Sequence, residues 1–127
     1  MRSPKMILIV DDEEDHRTLL CRAFEEAGHH ILLARDGIDA LNIIGTEDVN
    51  TFSAVWTDLY MPRMDGLQLT FALRGLKYKF PIVITSGDQD GARYSTADIT
   101  LATPHYIQKS RDFTLPCILL KELLTQD

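Results

Sequence analysis

Hydrophobic residues occur along the chain in two alternating patterns. Short apolar runs, bounded by turn residues and typical of buried strands, lie at residues 6–10, 31–34, 54–58, 81–86 and 106–109. Apolar residues at helical spacing follow these runs, at residues 15–27, 38–44, 67–76, 92–102 and 115–124. Because strands alternate with helices, the pattern indicates a parallel sheet. We therefore predict an α/β fold with a five-stranded, doubly wound parallel sheet covered by helices on both faces.

Capping and turn residues mark the ends of several predicted helices. Asp36 and Thr114 are suited to accept hydrogen bonds from the first backbone N–H groups of the second and last helices. Gly28 favours a helix end, and Pro116 falls in the first turn of the last helix, where proline is tolerated. Residues 46–53 are predicted to form a loop before the third strand.

Composition narrows the class of protein. The chain has 127 residues, of which 45% are hydrophobic and 25% charged, and we expect a single globular domain over residues 1–127. The net charge of −6 argues against direct binding of nucleic acid or of an anionic membrane. No stretch is long enough to span a bilayer, and no signal sequence is evident. Cys21 and Cys117 lack metal-type spacing, so we expect reduced thiols and a cytoplasmic location.

Polar side chains gather where the predicted strands end. Asp11 and Asp12 follow the first strand, Asp58 ends the third, Ser86 ends the fourth and Lys109 ends the fifth. The carboxyl ends of parallel strands meet at one edge of a sheet, which is where ligands bind in open α/β folds. Carboxylates packed together repel one another unless a cation joins them, and Mg²⁺ prefers oxygen ligands. An acid cluster, a hydroxyl and an ammonium group together indicate a phosphoryl site with Mg²⁺ as cofactor.

Four motifs at this edge resemble the receiver domain of two-component response regulators. They cover residues 7–13, 58–66, 81–87 and 106–109, in the order and at the spacings of that family. The resemblance implies the flavodoxin-like receiver fold. It also implies that the chain is a phosphorylation switch rather than an enzyme acting on a separate substrate. A sensor histidine kinase or a histidine phosphotransfer protein would be the phosphodonor, and the downstream target is not named by the sequence.

The resemblance also assigns roles to individual residues. Asp58 would accept the phosphoryl group, and Lys109 would pair with the phosphoryl oxygens. Ser86 and Tyr106 would form the switch pair, in which the hydroxyl moves to the phosphate and the aromatic ring follows. The metal ligands would be Asp11 (through water), Asp12, Asp58 and the backbone carbonyl of Tyr60. The output surface would include the predicted helix at residues 92–102, the fifth strand and the last helix.

One departure from the family pattern affects the site itself. Ser110 follows Lys109, where the family has proline, usually after a cis peptide bond. Because a cis bond before a non-proline residue costs about 2.5–4 kcal/mol, we predict a trans bond here. We also expect Lys109 to reach Asp58, since its long side chain can absorb a backbone shift.

Two other functions stay open. The first is a Mg²⁺-dependent hydrolase that forms an aspartyl phosphate on Asp58. Against it, no second acid stands two residues further on, where Tyr60 is found. The second is an interaction module with a receiver-like fold that is never phosphorylated. Against it, each acid, the hydroxyl and the lysine of the family's site are present.

Overall fold

The computed structural model describes residues 5–48, 50–87 and 104–125. Its five parallel strands are β1 (Met6–Val10), β2 (His30–Ala34), β3 (Phe52–Asp58), β4 (Ile82–Ser86) and β5 (His105–Gln108). The helices in these ranges are α1 (Glu14–Glu26), α2 (Gly37–Gly45), α3 (Gly66–Gly75) and α4 (Thr114–Leu124). The helix predicted at residues 92–102 lies outside the described residues. None of the helices in the described ranges is long and apolar enough to cross a membrane.

The strands lie in the order β2-β1-β3-β4-β5, which confirms the predicted doubly wound sheet. The central strands β1, β3 and β4 are almost wholly buried, as expected for strands covered on both faces. The order of strands reverses between β1 and β3, which pair directly with Val10 beside Thr57. In open α/β sheets ligands bind in the crevice at such a reversal. Asp11 and Asp58 both lie there.

Alternate residues of the strands supply two hydrophobic cores, one on each face of the sheet. On one face, Leu8, Val55 and Ile84 pack with α2 and α3, which contribute Ile44 and Leu73. On the other face, Ile9, Trp56 and Val83 pack with α1 and α4, which contribute Phe24 and Leu120. These two buried faces fix the carboxyl ends of the strands as a rigid edge for the site.

Two local predictions are wrong. Strand β3 begins at Phe52, so the loop predicted over residues 46–53 is shorter. This happens because Phe52 pairs with Met6 and is buried in the core. Thr114 is the first residue of α4 rather than its cap. Instead, its backbone N–H donates to the Asp112 carboxylate at 3.0 Å, an Asx turn just before the helix.

The other end signals are confirmed. The Asp36 carboxylate accepts a hydrogen bond from the Asp39 backbone N–H at 2.8 Å and caps α2. Gly28 follows α1 with a φ of +99°, which a residue with a side chain rarely adopts. Pro116 lies in the first turn of α4. Cys21 and Cys117 are free and half-buried.

Candidate functional site

Three carboxylates meet at the carboxyl edge of the sheet. Asp11, Asp12 and Asp58 each offer an oxygen, and these three oxygens lie within 4.8 Å of one another. Asp11 and Asp58 are buried, with 2% and 6% of their surface exposed, whereas Asp12 is exposed. Strands β1 and β3 position them, because Asp11 follows β1 and Asp58 ends β3 in the paired register.

The charge on this cluster is not fully balanced. The pKa of Asp58 is raised to about 6, chiefly by burial and then by the neighbouring charge of Asp11, although the charge and the hydrogen bond of Lys109 act to lower it. The pKa of Asp11 is lowered: burial acts to raise it, but hydrogen bonds from His16 and the Glu13 backbone outweigh that effect. A buried carboxylate with a raised pKa, next to a second carboxylate, would be stabilised in its charged form by a bound cation. Oxygen donors of this kind fit Mg²⁺.

The Lys109 ammonium group lies among three carboxylates, those of Asp11, Glu13 and Asp58. Its Nζ atom lies 2.8 Å from Glu13 Oε1, 3.2 Å from Asp58 Oδ2 and 3.4 Å from Asp11 Oδ2. Burial lowers the pKa of Lys109, but the hydrogen bond to Glu13 and the charges of Asp58 and Asp11 raise it overall. The ammonium group therefore stays charged at the centre of the site.

The backbone around Lys109 agrees with the prediction from Ser110. The peptide bond between them is trans, and Lys109 still reaches the acids. The Lys109 N–H donates to the Ser86 carbonyl at 2.6 Å, which extends the pairing of β4 and β5 by one residue. This bond holds the start of the Lys109 side chain at the edge of the sheet.

Three further residues at the site were missed from the sequence. Glu13 binds Lys109, as given above. His16 Nδ1 lies 2.6 Å from Asp11 Oδ2, and Arg17 Nη1 donates to the Asp11 backbone carbonyl at 2.6 Å. Glu13 directly follows the acid pair, and His16 and Arg17 lie in the first turn of α1. Their positions beside the motif were the available signal, but the pattern of apolar residues gives no information on these contacts.

The loop from β3 to α3 is tightly built. The Leu59 N–H donates to the Thr85 carbonyl and the Gly66 N–H donates to the Leu59 carbonyl, both at 2.7 Å. A Cβ atom on Gly66 would lie 2.4 Å from the Asp58 carbonyl oxygen, so only glycine fits there. Asp65 caps α3 in a reciprocal pair with Gln68. Tyr60 lies in this loop and is 41% exposed.

Ser86 and Tyr106 lie on neighbouring strands. Ser86 is fully buried at the end of β4, and Tyr106 is half-buried on β5. Tyr106 pairs with Ile84, two residues before Ser86. Because alternate residues of a strand share a face, Ser86 and Tyr106 belong to the same face of the sheet.

Comparison with known proteins identifies the family. Residues 7–115 match the model of the response regulator receiver domain. Regulator of RpoS from Escherichia coli is 32% identical over 122 residues, which cover 90% of this chain. Sensor histidine kinase RcsC from Salmonella typhimurium is 40% identical over 78 residues, which cover 61% of this chain and 8% of that protein. The match spans 35% of the length of Regulator of RpoS.

A solved structure agrees with these relatives. Response regulator protein TrrA from Thermotoga maritima, in complex with Mg(2+)-BeF, is 28% identical with a TM-score of 0.81. The superposition covers 94% of this chain and 98% of that one. The chain therefore belongs to the response regulator receiver domain family of two-component systems. The family and the fold predicted from the sequence are both confirmed.

Proposed function

We propose that Asp58 accepts a phosphoryl group from a phosphohistidine, in a reaction that requires Mg²⁺. The observation that carries this proposal is the position of Asp58: it is buried, adjoins two further carboxylates and lies 3.2 Å from the Lys109 ammonium. The raised pKa of Asp58 supports a cation at the same place, because a cation would relieve the repulsion from Asp11. The Mg²⁺ and BeF bound to TrrA, a relative in fold and sequence, agree with that chemistry.

The step itself is a displacement at phosphorus. An oxygen of the Asp58 carboxylate forms the new P–O bond, the P–N bond to the donor imidazole breaks, and the imidazole leaves with that electron pair. Lys109 holds the phosphoryl oxygens and balances their charge. Asp12, Asp58 and the Tyr60 carbonyl would hold the metal directly, and Asp11 would hold it through water. When bound, Mg²⁺ neutralises the carboxylate and phosphoryl oxygens.

Phosphorylation then changes the surface through Ser86 and Tyr106. The acyl phosphate carries about two negative charges in place of the single charge of the carboxylate, and it brings new acceptor oxygens to Asp58. The Ser86 hydroxyl moves to donate to one of them, and Tyr106, on the same face of the neighbouring strand, turns inward. A partner would read the changed surface around β5 and α4.

The donor we propose is a sensor histidine kinase or a histidine phosphotransfer protein, and the chain acts as one cytoplasmic domain over residues 1–127. Receiver domains are in general switches rather than enzymes, and we propose that this one catalyses only its own phosphorylation and dephosphorylation. Its net charge of −6 is unfavourable for direct binding of nucleic acid or an anionic membrane.

The test uses acetyl phosphate as a small phosphodonor, with either Mg²⁺ or a chelator present. Intact mass and released phosphate are measured together. A Mg²⁺-dependent mass gain that persists, with little release of free phosphate, supports the switch. Rapid phosphate release without mass gain would instead indicate a hydrolase, and no reaction would indicate an interaction module. The matched control is Asp15→Asn, which removes an exposed carboxylate near the cluster and should leave labelling unchanged.

A further inference from the structure

The His16 side chain lies beside the acid cluster, in contact with the carboxylate of Asp11. Its Nδ1 atom is 2.6 Å from Asp11 Oδ2, and only 11% of the histidine side chain is exposed. Because a carboxylate oxygen can only accept, Nδ1 carries the hydrogen and donates it. Within the described residues this is the one hydrogen bond of the His16 side chain, and its buried Nε2 has no partner there.

Both oxygens of Asp11 are thereby occupied in defined directions. Oδ1 accepts from the Glu13 backbone N–H at 2.9 Å, while Oδ2 accepts from His16. The Asp11 backbone is also held, since Arg17 donates to its carbonyl. A carboxylate fixed at both oxygens has few rotamers left, so its free lone pairs point in constant directions.

The histidine ring is itself held in place. It contacts the Phe113 ring, with centroids 5.9 Å apart and planes tilted by 54°. Phe113 is the residue that precedes α4. His16 therefore spans from α1 to the start of α4 and presents Nδ1 to Asp11 with little freedom to turn away.

We propose that His16 is a positioning residue for the Mg²⁺ site, which acts by holding Asp11 in the orientation that binds the metal's water. This inference rests on the proposed function. Groups that orient a metal ligand through a hydrogen bond contribute to metal affinity although they never touch the metal. A histidine that serves only to fill the core would instead affect folding stability and leave the affinity for Mg²⁺ unchanged.

Two substitutions separate these roles. His16→Leu keeps the bulk and removes the donor, whereas His16→Asn keeps an N–H close to the place of Nδ1. The matched control is His29→Leu. His29 is also half-buried, but its ring packs edge-on against Phe24, with ring centroids 6.2 Å apart, and it makes no contact with the acid cluster in the described residues. Mg²⁺ alone is titrated calorimetrically into each folded variant, and the melting temperature is recorded beside it.

We expect His16→Leu to weaken Mg²⁺ binding about tenfold, and His16→Asn to restore it to within about twofold of wild type. His29→Leu should bind Mg²⁺ as wild type does. Equal affinity of His16→Leu and wild type would overturn the inference, as would equal weakening by leucine and asparagine. If wild-type protein itself binds no Mg²⁺, the proposed metal site fails and this inference with it. A failure of the inference alone leaves wild-type binding intact.

Discussion

Lys109 Nζ lies 3.2 Å from Asp58 Oδ2, although serine rather than proline follows the lysine. The ammonium group contacts Glu13 and Asp11 as well, so three carboxylates share one cation. The altered loop therefore leaves in place the positive charge that phosphoryl transfer needs beside Asp58. Because of this geometry, we expect substitution of Lys109 to slow phosphorylation of Asp58.

Lys109→Gln should slow phosphorylation of the protein by acetyl phosphate by about 10²–10³-fold, because one preorganised donor to the phosphoryl oxygens is lost. Initial rates of mass gain at fixed Mg²⁺ measure this. Lys121→Gln removes an exposed lysine on α4 and serves as the control, with a rate expected to equal that of wild type. Unimpaired labelling of Lys109→Gln would show that the lysine does not act on the phosphoryl group.

Asp58 should make the stability of the metal-free protein fall as pH rises. Its pKa of about 6, raised by burial and then by Asp11, exceeds that of the unfolded chain. The folded state therefore binds more protons than the unfolded state between about pH 4 and 6, and stability declines through that window. Asp58→Asn removes this effect. It should raise the free energy of unfolding by up to about 3 kcal/mol near pH 7.5, and change it little near pH 4.

Urea unfolding in a chelator, at both pH values, provides the measurement. Asp15→Asn changes an exposed carboxylate and should not show the same pH-dependent gain. If Asp58→Asn were no more stable than wild type at the higher pH, the charged form of Asp58 would not destabilise the folded protein.

Gly66→Ala should destabilise the fold and distort the loop that carries Tyr60. The added methyl group would lie 2.4 Å from the Asp58 carbonyl oxygen, which is backbone and cannot move aside. We expect a loss of about 1–3 kcal/mol in the free energy of unfolding. Gly75→Ala, at the end of α3, is the control: its Cβ would meet nothing within 4 Å. Equal stability of the two variants would mean that the loop has room beside Asp58.

Trp56 should report on occupation of the site. It is the only tryptophan, is 2% exposed, and packs edge-on against Phe24 at 5.1 Å. Trp56 and Lys109 also line the same small pocket. Movement of Lys109 toward a ligand should therefore alter the fluorescence of Trp56 when beryllofluoride and Mg²⁺ are added. Asp58→Asn should not respond to beryllofluoride. Calorimetric saturation of wild type without any spectral change would contradict this prediction.

Most of the fold followed from the sequence, because its signals are local and repeated. Short apolar runs predicted strands β1 to β5. The position of Asp58 after one of these runs predicted that it ends β3, at the carboxyl edge of the sheet. The errors arose where two local signals competed. Thr114 and Asp112 are both suited to capping a helix, and it is the Asp112 carboxylate that accepts the hydrogen bond from the Thr114 backbone N–H. Phe52 stands among polar residues that predict a loop, but its pairing with Met6 of β1 places it in β3.

The finer geometry of the site could not be read from the pattern. Lys109 and Glu13 are 96 residues apart, and their contact depends on how β5 ends beside α1. The hydrogen bond of His16 to Asp11 depends on a rotamer that Phe113 helps to select. Such contacts between side chains arise only once the packing of α1 and α4 is known.

The location of the phosphoryl group decides whether Asp58 is the phosphoacceptor. Protein treated with acetyl phosphate and Mg²⁺ is reduced with borohydride, which converts an acyl phosphate to an alcohol, and its peptides are then mapped by mass spectrometry. We expect one modified residue, Asp58, with no modification in the absence of Mg²⁺ and none in Asp58→Asn. Modification at another residue, or undiminished labelling of the Asp58→Asn protein, would contradict this assignment.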